Sequence, residues 1–494
     1  MVFSSLKFLF LFLPVFFLIY AVVPNIKWKN FVIFIGSLLF YSFGVWDYKI
    51  YIPLFFQTIV VNYIVGQWIY ESGKNKKTLR TLRKPKGKKK NFAKAIQLSP
   101  KFWLLSGILY NLWWLFFFKY AGFFWDNSNR LFHTDFPENH IVLPIGISFY
   151  TFQNLSYLVD VYWKRTKPAK SFIDYGAYIS MFPQLIAGPV VTYTTVAEQL
   201  KTRKHSLKQI DEGLRIFTAG LGCKVLIANQ IGGLWSDITT VGFRSISTPL
   251  AWMGILAYTF QIYFDFYGYS LMAVGLGKMM AFELPQNFND PYQSLTMTEF
   301  WRRWHITLGS WFREYVYIPM GGNRHGTAKT IRNMFMVWFL TGFWHGASWN
   351  FIFWGIFLFV VMLTEKLWTG QYWNQHKFLG HCYMILLIPL SWTLFAITDM
   401  DALKTFFTRL FPFIPHEVGR MMEGDYLQSA KVYWKYFVAA IVFCTPFPKR
   451  IIQYLQKYQL PYQILSSLAC LVIFWSCVYC MYKGLNDPFL YFRF

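Results

Sequence analysis

From Met334 to Leu363 the chain runs for thirty residues without an Asp, Glu, Lys or Arg. About 20 apolar residues in a helix cross a hydrocarbon core of about 30 Å, and several other uncharged runs in the sequence approach or exceed that length. Soluble domains carry roughly 25% charged residues. This chain has 14%, with 55% hydrophobic and 22% aromatic residues over 494 positions, too little charge to coat a water-facing surface. The expected fold is an all-α polytopic membrane protein, a single integral-membrane domain over residues 1–494 with no soluble domain appended.

The net charge of +25 is unevenly spread. Eleven Lys/Arg fall between Lys74 and Lys94 with no acid among them. Lying between apolar segments, that cluster marks a cytoplasmic loop, about 72–101, under the positive-inside rule, and it also suits anionic lipid headgroups. This reading is preferred to a polyanion site, so no nucleic-acid partner is expected. Spans near 6–23, 30–46, 50–70, 102–119 and 140–162 follow. They put Lys27, Lys29 and "KRTKPAK" (164–170) inside, and the N-terminus and the acid-rich "DNSNRLFHTDFPENH" (126–140) outside. The first apolar run reads as an uncleaved helix rather than a signal peptide. Cys477 and Cys480 sit at helical spacing and read as packing residues, since no second pair completes a zinc site.

The middle of the chain is less regular. "SMFPQLIAGPVV" (180–191) is apolar but broken by Pro183, Gly188 and Pro189, which suggests a short or re-entrant element packed inside protein. Spans near 212–233 and 249–277 precede a polar loop, "PQNFNDPYQS" (285–294). From Thr298 to Arg324, Trp301, Trp304, His305, Leu308, Trp311, Phe312 and Tyr315 recur at helical spacing. Arg302, Arg303 and Arg313 make that stretch too charged for an ordinary span, so it reads as an amphipathic interfacial helix. After the run that holds His345, spans near 382–397, 433–446 and 462–482 bring the expectation to about eleven crossings.

His133, His140, His205, His376 and His416 lie in or beside polar loops and read as solvated. His305 and His345 differ, because both sit among aromatic residues on apolar segments. Ionisable groups at membrane depth are costly and mark function by default; the bland alternative for each is a neutral, hydrogen-bonded structural imidazole. An imidazole that stays neutral can accept a proton, as a general base must. Gly342 and Gly346 leave room around His345, although small residues serve helix packing more often. Asp265, in "IYFDFYGYS", could belong to a proton relay or anchor a hydrogen-bond network with Tyr263, Tyr267 and Tyr269; the network is the better reading. The two histidines are 40 residues apart with no ligand spacing around them, so no metal is expected. Nucleophile-elbow and P-loop motifs are absent.

Taken in order, "LPIGISFYTFQ" (143–153), "FPQLIAGPV" (182–190), "FDFYGYSLMAVGLG" (264–277), "FWRRWHITLGSWFREYVYIPMGGNR" (300–324), "GFWHGASWNFIFWG" (342–355) and "DPFLYFRF" (487–494) resemble the membrane-bound O-acyltransferases, in the bacterial branch that acetylates alginate or peptidoglycan. The resemblance implies a central channel ringed by about eleven transmembrane helices with re-entrant and amphipathic pieces, and a motif region over about 285–363. It makes His345 and His305 the catalytic pair, with His305 orienting the acceptor or stabilising an oxyanion. Trp304, Arg302, Arg303, Arg313, Trp344, Asn323 and Asp265 are the candidates for binding donor or acceptor. The implied donor is acetyl-CoA or another acyl thioester, with no bound cofactor. The acceptor is a hydroxyl of an exported polysaccharide, reached directly or through a periplasmic partner transferase, and the implied place is the bacterial cytoplasmic (inner) membrane. Tyr267 and Leu271 depart from the alginate-type pattern, and Leu271 leans towards the branch that D-alanylates teichoic acid, which stays as an alternative. Outside the family the rival is a multi-span transporter, which would favour paired inverted repeats; none is visible.

Overall fold

A computed structural model describes residues 2–81, 99–136, 141–186, 188–413, 424–484 and 490. Most of the basic loop, His140, His416 and most of the C-terminal motif lie outside these residues. The described secondary structure is helical throughout, as the all-α expectation required. Among the described residues five helices are long and apolar enough to cross a membrane: Tyr51–Lys74, Pro100–Phe132, Trp349–Gln375, Lys377–Ala396 and Gln459–Tyr482. Length and composition alone therefore single out fewer spans than the eleven expected.

The chain divides into two compact units, one of residues 1–2, 7–210 and 277–284, the other of 3–6, 211–276 and 285–494. At the heart of the first is the helix Ile147–Tyr162, buried on nearly every face and packed against Tyr51–Thr81 and Pro100–Leu115. A helix this enclosed has to pair its polar groups internally. The Asn154 carboxamide oxygen accepts from the Tyr175 hydroxyl at 2.6 Å. Beside it, Asn62 and Asn111 exchange amide hydrogen bonds of 2.7 and 3.1 Å between neighbouring helices.

The broken stretch at 180–191 is a single buried turn, Phe182–Leu185. Its backbone is answered from within the unit: the Ser37 hydroxyl accepts from the Phe182 N–H at 3.1 Å, and the Tyr178 hydroxyl donates to the Val191 carbonyl at 2.9 Å. This is the condition under which irregular backbone survives away from water.

In the second unit the thirty-residue uncharged run is two helices, Thr327–His345 and Trp349–Thr364. They pack backbone against backbone. A Cβ on Gly342 would lie 2.3 Å from the Phe351 carbonyl oxygen, and one on Gly355 would lie 2.5 Å from that of Trp338. The stretch from Thr298 is not one amphipathic helix as its spacing suggested. It is a seven-residue helix, Met297–Arg303, then a second, Ile306–Phe312, and a π-turn, Arg313–Tyr317. The break falls at Trp304 and His305, and His305 holds a left-handed φ of 45°; side-chain periodicity carries no information about such a residue.

Inserting side chains where backbones touch leaves neither helix anything flexible to move. Gly355→Val is expected to destabilise the protein by about 3 kcal/mol, the upper end of overpacking costs, read as a fall in thermal midpoint in detergent. An unchanged midpoint would mean that the two helices can part without loss.

Candidate active site

His345 is the last residue of its helix and is buried. Its ring meets the Trp344, Trp354 and Phe395 rings at centroid distances of 4.9, 5.1 and 5.2 Å, all steeply tilted. Edge-to-face contacts of this kind fix a ring's orientation as well as burying it. The space expected beside Gly346 is filled by Phe351, whose ring would lie 2.2 Å from an added Cβ. These glycines serve close packing. The room near His345 lies on another side, in a cavity of about 20 Å³ walled by Ile262, Asp265, Phe266, Trp301, Trp304, Trp392, Phe395 and Leu490. That is space for about one water-sized group.

His305 is equally enclosed. Its Nδ1 lies 3.1 Å from the Asn287 carboxamide oxygen, which also accepts from the Thr307 N–H and hydroxyl at 3.3 and 2.9 Å. Because that oxygen acts as an acceptor throughout, His305 carries its proton on Nδ1 and presents a lone pair on Nε2. The left-handed backbone is clamped on both sides: Asn289 N–H donates to the Arg303 carbonyl, and Ile306 N–H to the Asn287 carbonyl, each at 2.9 Å. The loop 285–294, plain in the sequence, thus holds the second histidine. Trp344 joins the two imidazoles, its ring 6.3 Å from that of His305 and 4.9 Å from that of His345.

The helix leading into His305 is fixed at its start. Thr296 caps it by accepting from the Glu299 N–H at 3.1 Å. The buried Glu365 carboxylate accepts from the Met297 and Thr298 N–H groups at 2.6 and 2.8 Å, from the Thr298 hydroxyl at 2.6 Å and from Tyr383 at 3.1 Å. A carboxylate at a helix N-terminus meets unpaired donors and the positive end of the dipole.

Asp265 lines the cavity with His345, and its charge is answered by Lys224 at 2.7 Å. Both side chains are almost fully buried, and the Leu490 N–H donates to the second carboxylate oxygen at 2.9 Å. Lys224 in turn reaches Asn229 at 3.0 Å. Tyr263 and Tyr267 stack on each other, 5.3 Å apart with planes 1° from parallel, and the charge that balances Asp265 is that of Lys224. Lys224, alone in the apolar run "LGCKVLIAN", was the missed signal: a cation in such a run calls for a buried partner.

The structure therefore gathers His345, Trp304 and Asp265 around the cavity, with Trp344 and His305 adjoining. It does not bring the arginines there. Arg303 pairs with Glu299 at 2.6 Å, while Arg302, Arg313 and Asn323 are exposed. Residues that sequence reasoning passed over, chiefly Asn287, Glu365, Trp354, Trp392 and Phe395, make the walls and supports. Among the described residues no three His, Cys, Asp or Glu side chains cluster as a metal would need.

Asn287→Ala would strip the acceptor from three buried donors. A loss of about 1–3 kcal/mol is expected, with Asn287→Asp closer to wild type because it keeps an acceptor; comparing thermal midpoints of the two variants checks this. Equal midpoints for alanine and wild type would remove Asn287 as the anchor.

A membrane-bound O-acyltransferase family model matches residues 169–399. A probable alginate O-acetylase of Azotobacter vinelandii is 34% identical over the whole of both chains. One from Pseudomonas aeruginosa is 37% identical over 89% of this chain and 81% of its own. A peptidoglycan O-acetyltransferase of Helicobacter pylori is 34% identical over 81% of this chain and 78% of its own. With histidine motifs, helical membrane architecture and end-to-end similarity in agreement, the chain belongs to the membrane-bound O-acyltransferase family.

Proposed function

We propose that the protein transfers an acetyl group from a cytoplasmic acyl thioester to a hydroxyl of an exported cell-surface polysaccharide, with His345 as general base. The observation that carries this reading is the enclosed cavity of about 20 Å³ on whose wall His345 sits. It has space for about one water-sized group, enough to admit a reacting atom but not bulk water, and its largely aromatic walls limit hydrolysis of a thioester.

Neutral His345 takes the proton of the acceptor hydroxyl as its oxygen attacks the thioester carbonyl. The new C–O bond forms, the C–S bond breaks, and the imidazolium returns the proton to the leaving thiolate. The proton on His305 Nδ1 is directed at Asn287, so its Nε2 is suited to accept from the incoming hydroxyl rather than to donate to an oxyanion. Of the two roles open to it from the sequence, orienting the acceptor is the one we adopt. Asp265, neutralised by Lys224, lines the site without adding net charge to it. Sequence similarity to alginate and peptidoglycan O-acetylating enzymes supports a polysaccharide acceptor. We place the protein in the bacterial inner membrane with its N-terminus outside, the basic loop facing the donor and a periplasmic partner transferase receiving the acyl group where transfer is not direct.

His345→Ala is expected to cut base-labile acetate on the surface polymer by about 10²–10⁴-fold at equal membrane levels, the usual weight of a general base. His305→Ala should lower it less. Full acetylation by the His345 variant would sink the mechanism, and base-labile D-alanine in place of acetate would transfer the reading to the teichoic-acid branch.

A further inference from the structure

His205, which reads from the sequence as a solvated loop residue, is exposed in the structure and is also hydrogen-bonded into the first unit. Its Nε2 lies 2.8 Å from the Tyr20 hydroxyl. That hydroxyl donates its own proton to the Met280 carbonyl at 3.0 Å, so towards His205 it accepts, and the imidazole proton is on Nε2. The same oxygen also accepts from Arg203, through Nε at 3.3 Å and Nη2 at 3.2 Å. Arg203 donates a third bond, from Nη1 to the Gln199 carbonyl at 3.2 Å, and its guanidinium lies 4.5 Å from the Phe282 ring centre. Lys29 also approaches, with Nζ 3.0 Å from the Tyr20 carbonyl and 4.6 Å from its ring centre.

Three basic side chains therefore converge on one tyrosine, and among the described residues no carboxylate stands within ion-pair distance of any of them. Glu198 is paired with Lys201 at 3.6 Å. Glu283 contributes its backbone N–H, 2.8 Å from the Gln199 side-chain oxygen, and its side chain is exposed. Arg203 is only 6% exposed. A guanidinium cannot shed its proton, and a buried charge without a counter-charge is costly. A hydroxyl, a carbonyl and a ring face supply dipoles but no negative charge.

By count, Arg203 keeps two of its five N–H groups, Lys29 keeps two of three, and His205 keeps Nδ1. This is a donor set for a phosphate-type anion. On the two helices that carry Tyr20 and Lys29, Leu18, Val22 and Trp28 are 69%, 76% and 59% exposed, apolar surface suited to acyl chains. We propose that Arg203, Lys29 and His205 bind the phosphate of an anionic phospholipid whose chains lie along that surface. Partial desolvation, with Lys29 and Arg203 alongside, holds His205 down at about 4. It is uncharged at neutral pH, and a bound phosphate would favour a proton on Nδ1 and add a third cation to the site.

The test uses the purified full-length protein in phosphatidylcholine nanodiscs with increasing phosphatidylglycerol, reading the thermal unfolding midpoint. Wild type is expected to rise saturably. Lys29→Gln, a part-exposed position that leaves Arg203 in place, should need about fivefold more phosphatidylglycerol, the weight of one basic residue at an anionic surface. Lys208→Gln, exposed and outside the cluster, should behave as wild type. Equal losses in the two variants would reduce the effect to general surface charge, and no shift in wild type would remove the site; either result overturns the proposal. Inorganic phosphate producing the whole shift in phosphatidylcholine discs would overturn the lipid as its source and assign the anion to solution. None of these outcomes bears on acyl transfer at His345.

Discussion

Where helical backbone stops away from water, each freed N–H and C=O must find a partner inside the protein, and the second unit is arranged around meeting that demand next to its two histidines. The chain leaves helical geometry at Trp304 and His305 and again after His345. At the first break, the Asn287 segment takes up the Ile306 and Thr307 amides, and the Glu365 carboxylate takes up those at the start of the preceding helix. Were the helices continuous, no such supports would be needed, and both imidazoles would be held only by side-chain packing. The interruption lets His305 leave the helical face and present a defined edge.

The same economy governs charge. Lys224 and Asp265 are each prohibitive alone at this depth and tolerable together, because their attraction in a poorly polarisable interior offsets part of the desolvation that both suffer. Glu365 is treated differently: it has no cation among its described hydrogen bonds and is stabilised by four donors, two of them at a helix start. The interior thus uses both available ways of keeping an ionisable group, an opposite charge in one place and convergent dipoles in another.

Much of this was legible in the sequence, and what was not has identifiable causes. Membrane character, helical class and the two histidines follow from composition and from ionisable residues set in apolar runs, since burial cost acts on each residue singly. The broken element near 182–190 was readable because Pro and Gly interrupt helices wherever they fall. The break at His305 was not, because a left-handed residue without glycine leaves the spacing of its neighbours intact. Arg302 and Arg313 were drawn towards the site by adjacency in the motif, whereas each step along a helix turns the side chain by about 100°, and both arginines are exposed. Asn287 and Glu365 act through hydrogen bonds to residues 18 and 68 positions away, and no local pattern encodes a partner at that range.

The positive φ of His305 has a bearing on how the site can change over evolutionary time. Asparagine and glycine occupy left-handed backbone with little strain, whereas β-branched and bulky residues resist it. The position thus filters substitutions by shape before chemistry is considered. An exchange to asparagine would keep the turn, the clamp on either side and a side chain able to hydrogen-bond, while removing the imidazole. Descendants of this fold could shed or replace one ring without dismantling the architecture around the other, so architecture and reactivity at this site are inherited separately.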